Sequence, residues 1–131
     1  METDRLIIRP FTMDDLNTYF EIFSNVTVNT YLPMFPLKTL DEARTLLKDE
    51  YLDMEYRYAV CLKENNIPIG YVSIIDYDLG YGLLPEYWNK GIITESCRKV
   101  IDTVQDTLPF LTATHPFSPL PTTLIMPPVV K

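Results

Sequence analysis

The chain has 131 residues, 47% of them hydrophobic, which is enough to bury one core and too few for two ordinary domains. A formal net charge of −7 argues against a nucleic-acid backbone as the main partner and suits a cationic one, although an acidic excess also serves plain solubility. The N-terminal residues are charged, no apolar run has the length to cross a bilayer, and the two cysteines, Cys61 and Cys97, read as buried free thiols, so a cytoplasmic protein with no membrane partner is expected.

In chain order, Leu6, Ile7, Ile8 and Arg9 form a short strand that ends where Pro10 removes the ladder donor. Thr12 and Asp15 have the spacing of a capping box, opening a helix whose inner face is Leu16, Tyr19, Phe20 and Phe23 and which ends at Ser24 and Asn25. No period persists over residues 26–37, where Pro33 and Pro36 keep the backbone irregular. Thr39 and Glu42 form a second capping box, and Leu40, Ala43, Leu46, Leu47 and Tyr51 mark the apolar stripe of a second helix. From Arg57 to Lys63 the side chains alternate, Tyr58, Val60 and Leu62 to one face and Ala59 and Cys61 to the other, with both faces apolar enough to be covered. A turn at Glu64, Asn65 and Asn66 leads into a strand over residues 67–75, which pairs back as an antiparallel hairpin. All four glycines fall between Gly70 and Gly91, and Gly70 inside a strand marks a bulge or a close backbone approach.

A further strand over residues 79–84 runs into a tight turn and then a long helix, in which Ile93, Cys97, Val100, Ile101 and Val104 recur on one stripe and Glu95, Arg98, Lys99, Asp102 and Gln105 occupy the other. At its start, Asn89, Lys90, Gly91, Ile92 and Ile93 offer backbone N–H groups without intrahelical partners, and the helix dipole adds positive potential. The arrangement suits an anion. Residues 110–114 read as a last short strand. Residues 116–130 carry no charge and hold five of the eleven prolines, which forbids a helix or a central strand there.

The segment Gly80-Tyr81-Gly82-Leu83-Leu84-Pro85-Glu86-Tyr87-Trp88-Asn89-Lys90-Gly91-Ile92-Ile93-Thr94-Glu95 resembles the acetyl-CoA motif of the GNAT superfamily of N-acetyltransferases, in particular its RimJ/RimL-like branch. The likeness runs from Thr3 to about His115. The family's turn is Arg or Gln, two residues, Gly, one residue, then Gly or Ala. Trp88, Gly91 and Ile93 stand at those positions here, so the central glycine is the strict match. The resemblance implies an α/β (α+β) fold: a mixed, mostly antiparallel sheet flanked by helices, built from residues 6–10, 58–63, 67–75 and 79–84, with residues 110–114 parallel beside the last and the family's C-terminal helix and strands absent. It divides the chain into an acetyltransferase domain, residues 1–115, and a Pro-rich apolar tail, residues 116–131.

The same resemblance implies acetyl-CoA as cosubstrate, with its pantetheine arm along Leu83 and Leu84 and its pyrophosphate on the turn of Trp88, Asn89, Lys90, Gly91, Ile92, Ile93 and Thr94. A small-molecule or peptide amine attacks the thioester directly, so the protein needs a base for the ammonium, donors for the oxyanion and a proton for the leaving thiolate. A bulge near Gly82 and Leu83 would aim backbone donors at the carbonyl. Asp76, Glu86 and His115 are the candidate bases, although Asp76 and Asp78 also read as turn residues and Glu86 as a solvated side chain beside Pro85. The acid that the family takes from its later helix has no counterpart except Ser118. Tyr31, Met34 and Phe35 either line a substrate mouth, as the corresponding loop does in the family, or cover the core. No metal site is expected, since there is no histidine pair and no Cys-x-x-Cys. The tail either folds back over its own core, crosses to a second copy through the edge at residues 110–114 to give a two-fold homodimer, or stays disordered. The alternative to an active enzyme is a non-catalytic remnant that binds CoA or acts as an interaction domain.

Overall fold

A computed structural model describes residues 1–29, 36–52, 54–75, 78–105 and 107, with the backbone alone at Asp78. Four strands form one antiparallel sheet in sequence order: β1 (Leu6–Arg9), β2 (Arg57–Leu62), β3 (Pro68–Ile75) and β4 (Asp78–Leu83). Two helices, α1 (Leu16–Ser24) and α2 (Leu40–Leu46), cover one face, and α3 (Ile92–Val104) covers the other. This is the expected α/β fold, an antiparallel sheet flanked by helices. The readings placed on Tyr31, Met34, Phe35, Asp76, His115, Ser118, the strand at residues 110–114 and the tail lie outside the described residues.

Alternation along the strands builds two cores. In β2, Val60 joins the α3 side, with Tyr58 and Leu62 packed beside it, while Ala59 and Cys61 join the α1/α2 side. Because a strand's side chains point to opposite faces in turn, two apolar sets in one strand require cover on both faces. The α3 core is aliphatic, with Leu6, Ile8, Val72, Leu83, Cys97 and Val100 at its centre. The other is aromatic: Phe11, Tyr19, Phe23, Tyr51 and Tyr71 pack with ring centroids 4.6–5.6 Å apart, several edge to face.

The glycine in β3 does what its position implies. Val60 faces Gly70 but Cys61 faces Pro68, so Ile69 is an extra residue in the ladder, and Ile69, Val72 and Ile74 reach the same core despite their mixed parity. A Cβ on Gly70 would fall on the carbonyl oxygen of Gly82 and come within 2.9 Å of Leu83 Cδ1. The bulge expected near Gly82 and Leu83 is not in the β3–β4 ladder, whose register is unbroken from Gly70–Leu83 to Ile75–Asp78. Gly82 serves packing instead, since a Cβ there would meet Tyr71 Cε1 at 2.5 Å.

Both predicted caps form, and each is joined to a turn that its spacing does not specify. Asp15 accepts from the Thr12 N–H at 2.8 Å and from both guanidinium ends of Arg9 at 2.8 and 3.1 Å, and a single 3-10 turn, Met13–Asp15, precedes α1. Burial pushes the Asp15 carboxyl up, but the hydrogen bonds from Arg9 and Thr12 outweigh it and hold the carboxyl below its ordinary range. Thr39 Oγ1 accepts from the Glu42 N–H and Glu42 Oε1 accepts from the Thr39 N–H, each at 3.1 Å. Beyond Leu46 the helix widens to a π turn, Leu47–Tyr51, that keeps Leu47 and Tyr51 buried. Leu40, expected on the buried stripe, is 38% exposed because it occupies the first helical position, at the end remote from that widening turn. Ile22 of α1, not expected inside, is fully buried.

Candidate functional site

The site is built where β4 gives way to α3. The Leu84 N–H donates to the Ile69 carbonyl at 2.9 Å, and antiparallel alternation then assigns Gly82 and Gly80 to the same hydrogen-bonded edge. The backbone groups of Leu79, Tyr81 and Leu83 therefore face the other edge of β4. On that edge the indole Nε1 of Trp88 donates to the Leu83 carbonyl at 2.7 Å, which ties the turn to the end of the strand. Trp88 thus stands where the family motif has Arg or Gln, but as a brace on the strand. A 3-10 turn, Pro85–Tyr87, carries the chain across, and Lys90 Nζ lies 5.8 Å from the Tyr87 ring centroid.

Two residues of the turn are left-handed, Asn89 with φ +63° and Gly91 with φ +75°. Glycine adopts this conformation freely, and asparagine is among the few other residues that tolerate it. Gly91 is the N-cap of α3, and the Glu95 N–H makes the bond back to its carbonyl at 3.0 Å, which leaves the amides of Ile92, Ile93 and Thr94 without intrahelical acceptors. Positive potential from the helix dipole falls on the same spot. This is the open helix start that the sequence pattern implies at Gly91.

A second cation was not expected. Arg5, just ahead of β1, reaches the turn: its Nη2 donates to the Lys90 carbonyl at 2.7 Å and its Nε to Glu95 Oε1 at 2.7 Å. The Thr3 hydroxyl donates to the other Glu95 oxygen. In the sequence Glu95 reads as the end of the motif and as part of the polar face of the helix; that Arg5 meets it across 90 positions has no local signal in one sequence.

Of the candidate bases, Glu86 is described. It is exposed on the Pro85–Tyr87 turn, two residues beyond Leu84. The thiols are poor nucleophiles, as burial pushes Cys97 up and pushes Cys61 up to about 11. Burial likewise raises the Tyr71 phenol, with Tyr81 adding to it, to about 12. Among the described residues no group of three or more His, Cys, Asp and Glu side chains is placed to hold a metal ion, and no helix is long and apolar enough to cross a membrane.

The family model for the acetyltransferase (GNAT) domain matches residues 5–119. The chain belongs to the GNAT family. It is 26% identical over 112 residues to the uncharacterized N-acetyltransferase YoaA of Bacillus subtilis, covering 77% of this chain and 63% of that protein. It is 27% identical over 111 residues to the uncharacterized N-acetyltransferase p20 of Bacillus licheniformis, covering 76% and 62%. The chain thus spans a little under two thirds of these GNAT relatives. Among solved structures, a GNAT-family acetyltransferase from Bacillus anthracis superposes with a TM-score of 0.72 at 23% identity, covering 83% of this chain and 68% of that one. The spermidine N-acetyltransferase of Vibrio cholerae, solved with CoA and spermine, superposes with a TM-score of 0.67 at 21% identity, covering 82% and 68%. At these identities the structural likeness concerns the fold.

Proposed function

We propose that this GNAT domain is an N-acetyltransferase of the RimJ/RimL-like branch that moves an acetyl group from acetyl-CoA to a primary amine: a protein N-terminus, a polyamine or another small amine. The carrying observation is the turn from Trp88 to Gly91, with two left-handed residues opening α3 and the indole of Trp88 bracing the end of β4. The residues fit the group: amides at Ile92, Ile93 and Thr94 and the Thr94 hydroxyl suit a pyrophosphate, Lys90 supplies positive charge, and the outer edge of β4 at Leu83 suits an amide-bearing arm. Acetyl-CoA supplies the acetyl group as an activated thioester. The amine nitrogen bonds to the acetyl carbon as the C–S bond breaks, the amine loses a proton, and the CoA thiolate gains one. The base is to be sought among Asp76, Glu86 and His115.

A cationic acceptor fits the net charge of −7, and a groove along α2 and the π turn places Asp41, Glu42, Asp49 and Glu50 beside Leu37, Thr45 and Leu46. The neighbour solved with CoA and spermine makes polyamines the first acceptors to try.

Calorimetric titration with CoA tests the cofactor site, and thiol release from acetyl-CoA against polyamines, aminoglycosides and peptides with free N-termini tests turnover. CoA binding without turnover across that panel would make this a CoA-binding domain and not a transferase. No CoA binding by the wild-type chain would remove the proposal altogether.

A further inference from the structure

We propose that Arg5 is a positioning residue for the phosphate-binding turn: by holding the Lys90 carbonyl it keeps the Gly91 N–H turned to the ligand. The proposal rests on the cofactor reading above and adds to it a residue outside the motif, 85 positions upstream of Lys90.

The carbonyl of Lys90 and the N–H of Gly91 belong to the same planar trans unit and point in opposite directions. With the carbonyl drawn to Arg5 Nη2 at 2.7 Å, the Gly91 N–H is directed away from the guanidinium. Half a rotation of that unit would exchange the two, presenting an oxygen where an anion needs a donor. Such a flip changes ψ of Lys90 and φ of Gly91, and a glycine accepts either sign of φ, so the usual steric obstacle is missing at this position. The guanidinium supplies the restraint that the glycine lacks.

Arg5 is itself held for this task. Its Nε donates to Glu95 Oε1 at 2.7 Å, and the Thr3 hydroxyl fixes the other carboxylate oxygen. Glu95 suits the dipole of the first helical turn, yet as a carboxylate beside a phosphate cradle it would repel the ligand if left uncompensated. Arg5 therefore orients a peptide and cancels a charge with one planar fork, a geometry lysine cannot reproduce. The side chains of Arg5 and Glu95 are 45% and 26% exposed, so the pair contributes little to folding and its removal leaves a folded protein to measure.

The test uses the full chain and two probes, CoA and pantetheine, which lacks the pyrophosphate. Arg5→Ala is expected to weaken CoA about tenfold, and Arg5→Lys about threefold, in keeping with the loss of a charge-assisted hydrogen bond. The melting temperature and pantetheine binding stay at their wild-type values. The Gly91 amide proton, followed by NMR, shifts strongly on CoA addition in the wild type and little in Arg5→Ala. The double variant Arg5→Ala with Glu95→Gln separates orientation from charge: CoA binding stays weak if the peptide is what Arg5 controls. Recovery of wild-type affinity in the double variant would overturn the positioning role, as would unchanged CoA affinity in Arg5→Ala or equal losses for CoA and pantetheine. A wild-type chain that binds no CoA would instead sink the cofactor reading, and this proposal with it.

Discussion

The two faces of the sheet are packed by different chemistry. Against α1 and α2 lie five aromatic rings, with Tyr19 and Phe23 almost fully buried, and the Arg9–Asp15 pair sits at the entrance to α1. Against α3 lie small and medium aliphatic side chains, and the helix touches the sheet with Ile92, Ile93, Cys97, Val100 and Val104 while its first turn is left to the Gly91 cradle. The difference separates the face that carries most of the ring packing from the one that carries the proposed cofactor turn. The aromatic face buries more area per side chain. The aliphatic face carries a helix whose first amides have no intrahelical acceptors, with Arg5 and Trp88 holding the turn that leads into it.

Four substitutions sharpen that contrast. Phe23→Ala should have the largest effect, a destabilisation of about 4 kcal/mol in urea titration, because it opens a cavity among rings that cannot collapse. The folded fraction should bind CoA as before; a loss below about 1 kcal/mol would show that the aromatic face is loosely packed.

Gly91→Asp comes next and should act on the other property. We expect CoA affinity to fall at least a hundredfold, about 3 kcal/mol, with a stability cost of about 1 to 2 kcal/mol from forcing a side chain into φ +75°. A Cβ at this position lies 3.4 Å from Arg5 Nη2, so the new carboxylate would also compete with the Lys90 carbonyl for the guanidinium. Unchanged calorimetric affinity would take the phosphate away from Gly91.

Asp15→Asn should cost about 2 kcal/mol and change the shape of the pH dependence. The Asp15 carboxyl is held below its ordinary value, so its contribution is present in full above the unfolded-state carboxylate pKa and is lost as pH falls through the lower folded value. Stability measured from pH 6 downward should therefore fall less steeply in the variant. Parallel curves for the two proteins would mean that the Arg9 fork contributes nothing to acid sensitivity.

Trp88→Phe should be the mildest. It keeps a ring beside the core but removes the donor to Leu83, and CoA binding should weaken by about 1 kcal/mol while the melting temperature moves by only a few degrees. An effect on melting larger than the effect on binding would recast Trp88 as a core residue.

Local chemistry explains what could be read in advance. The Thr39–Glu42 cap, the alternation of β2, the stripe of α3 and the bulge at Gly70 are each specified by residues within one turn or one strand of each other, where spacing alone sets geometry. The helix start at Gly91 belongs to this class, because a glycine before an amphipathic stripe announces both the helix start and its open amides. Asn89 could have been read with it, since asparagine two residues before that glycine is one of the few residues at ease with positive φ. Only the tertiary structure could place Arg5 on the Lys90 carbonyl, seat the Tyr71 ring over Gly82, or bring Ile22 into the aromatic core and leave Leu40 outside. Those outcomes depend on which distant elements pack against one another, and a single sequence records the apolar faces that must be covered without recording the partner that covers each.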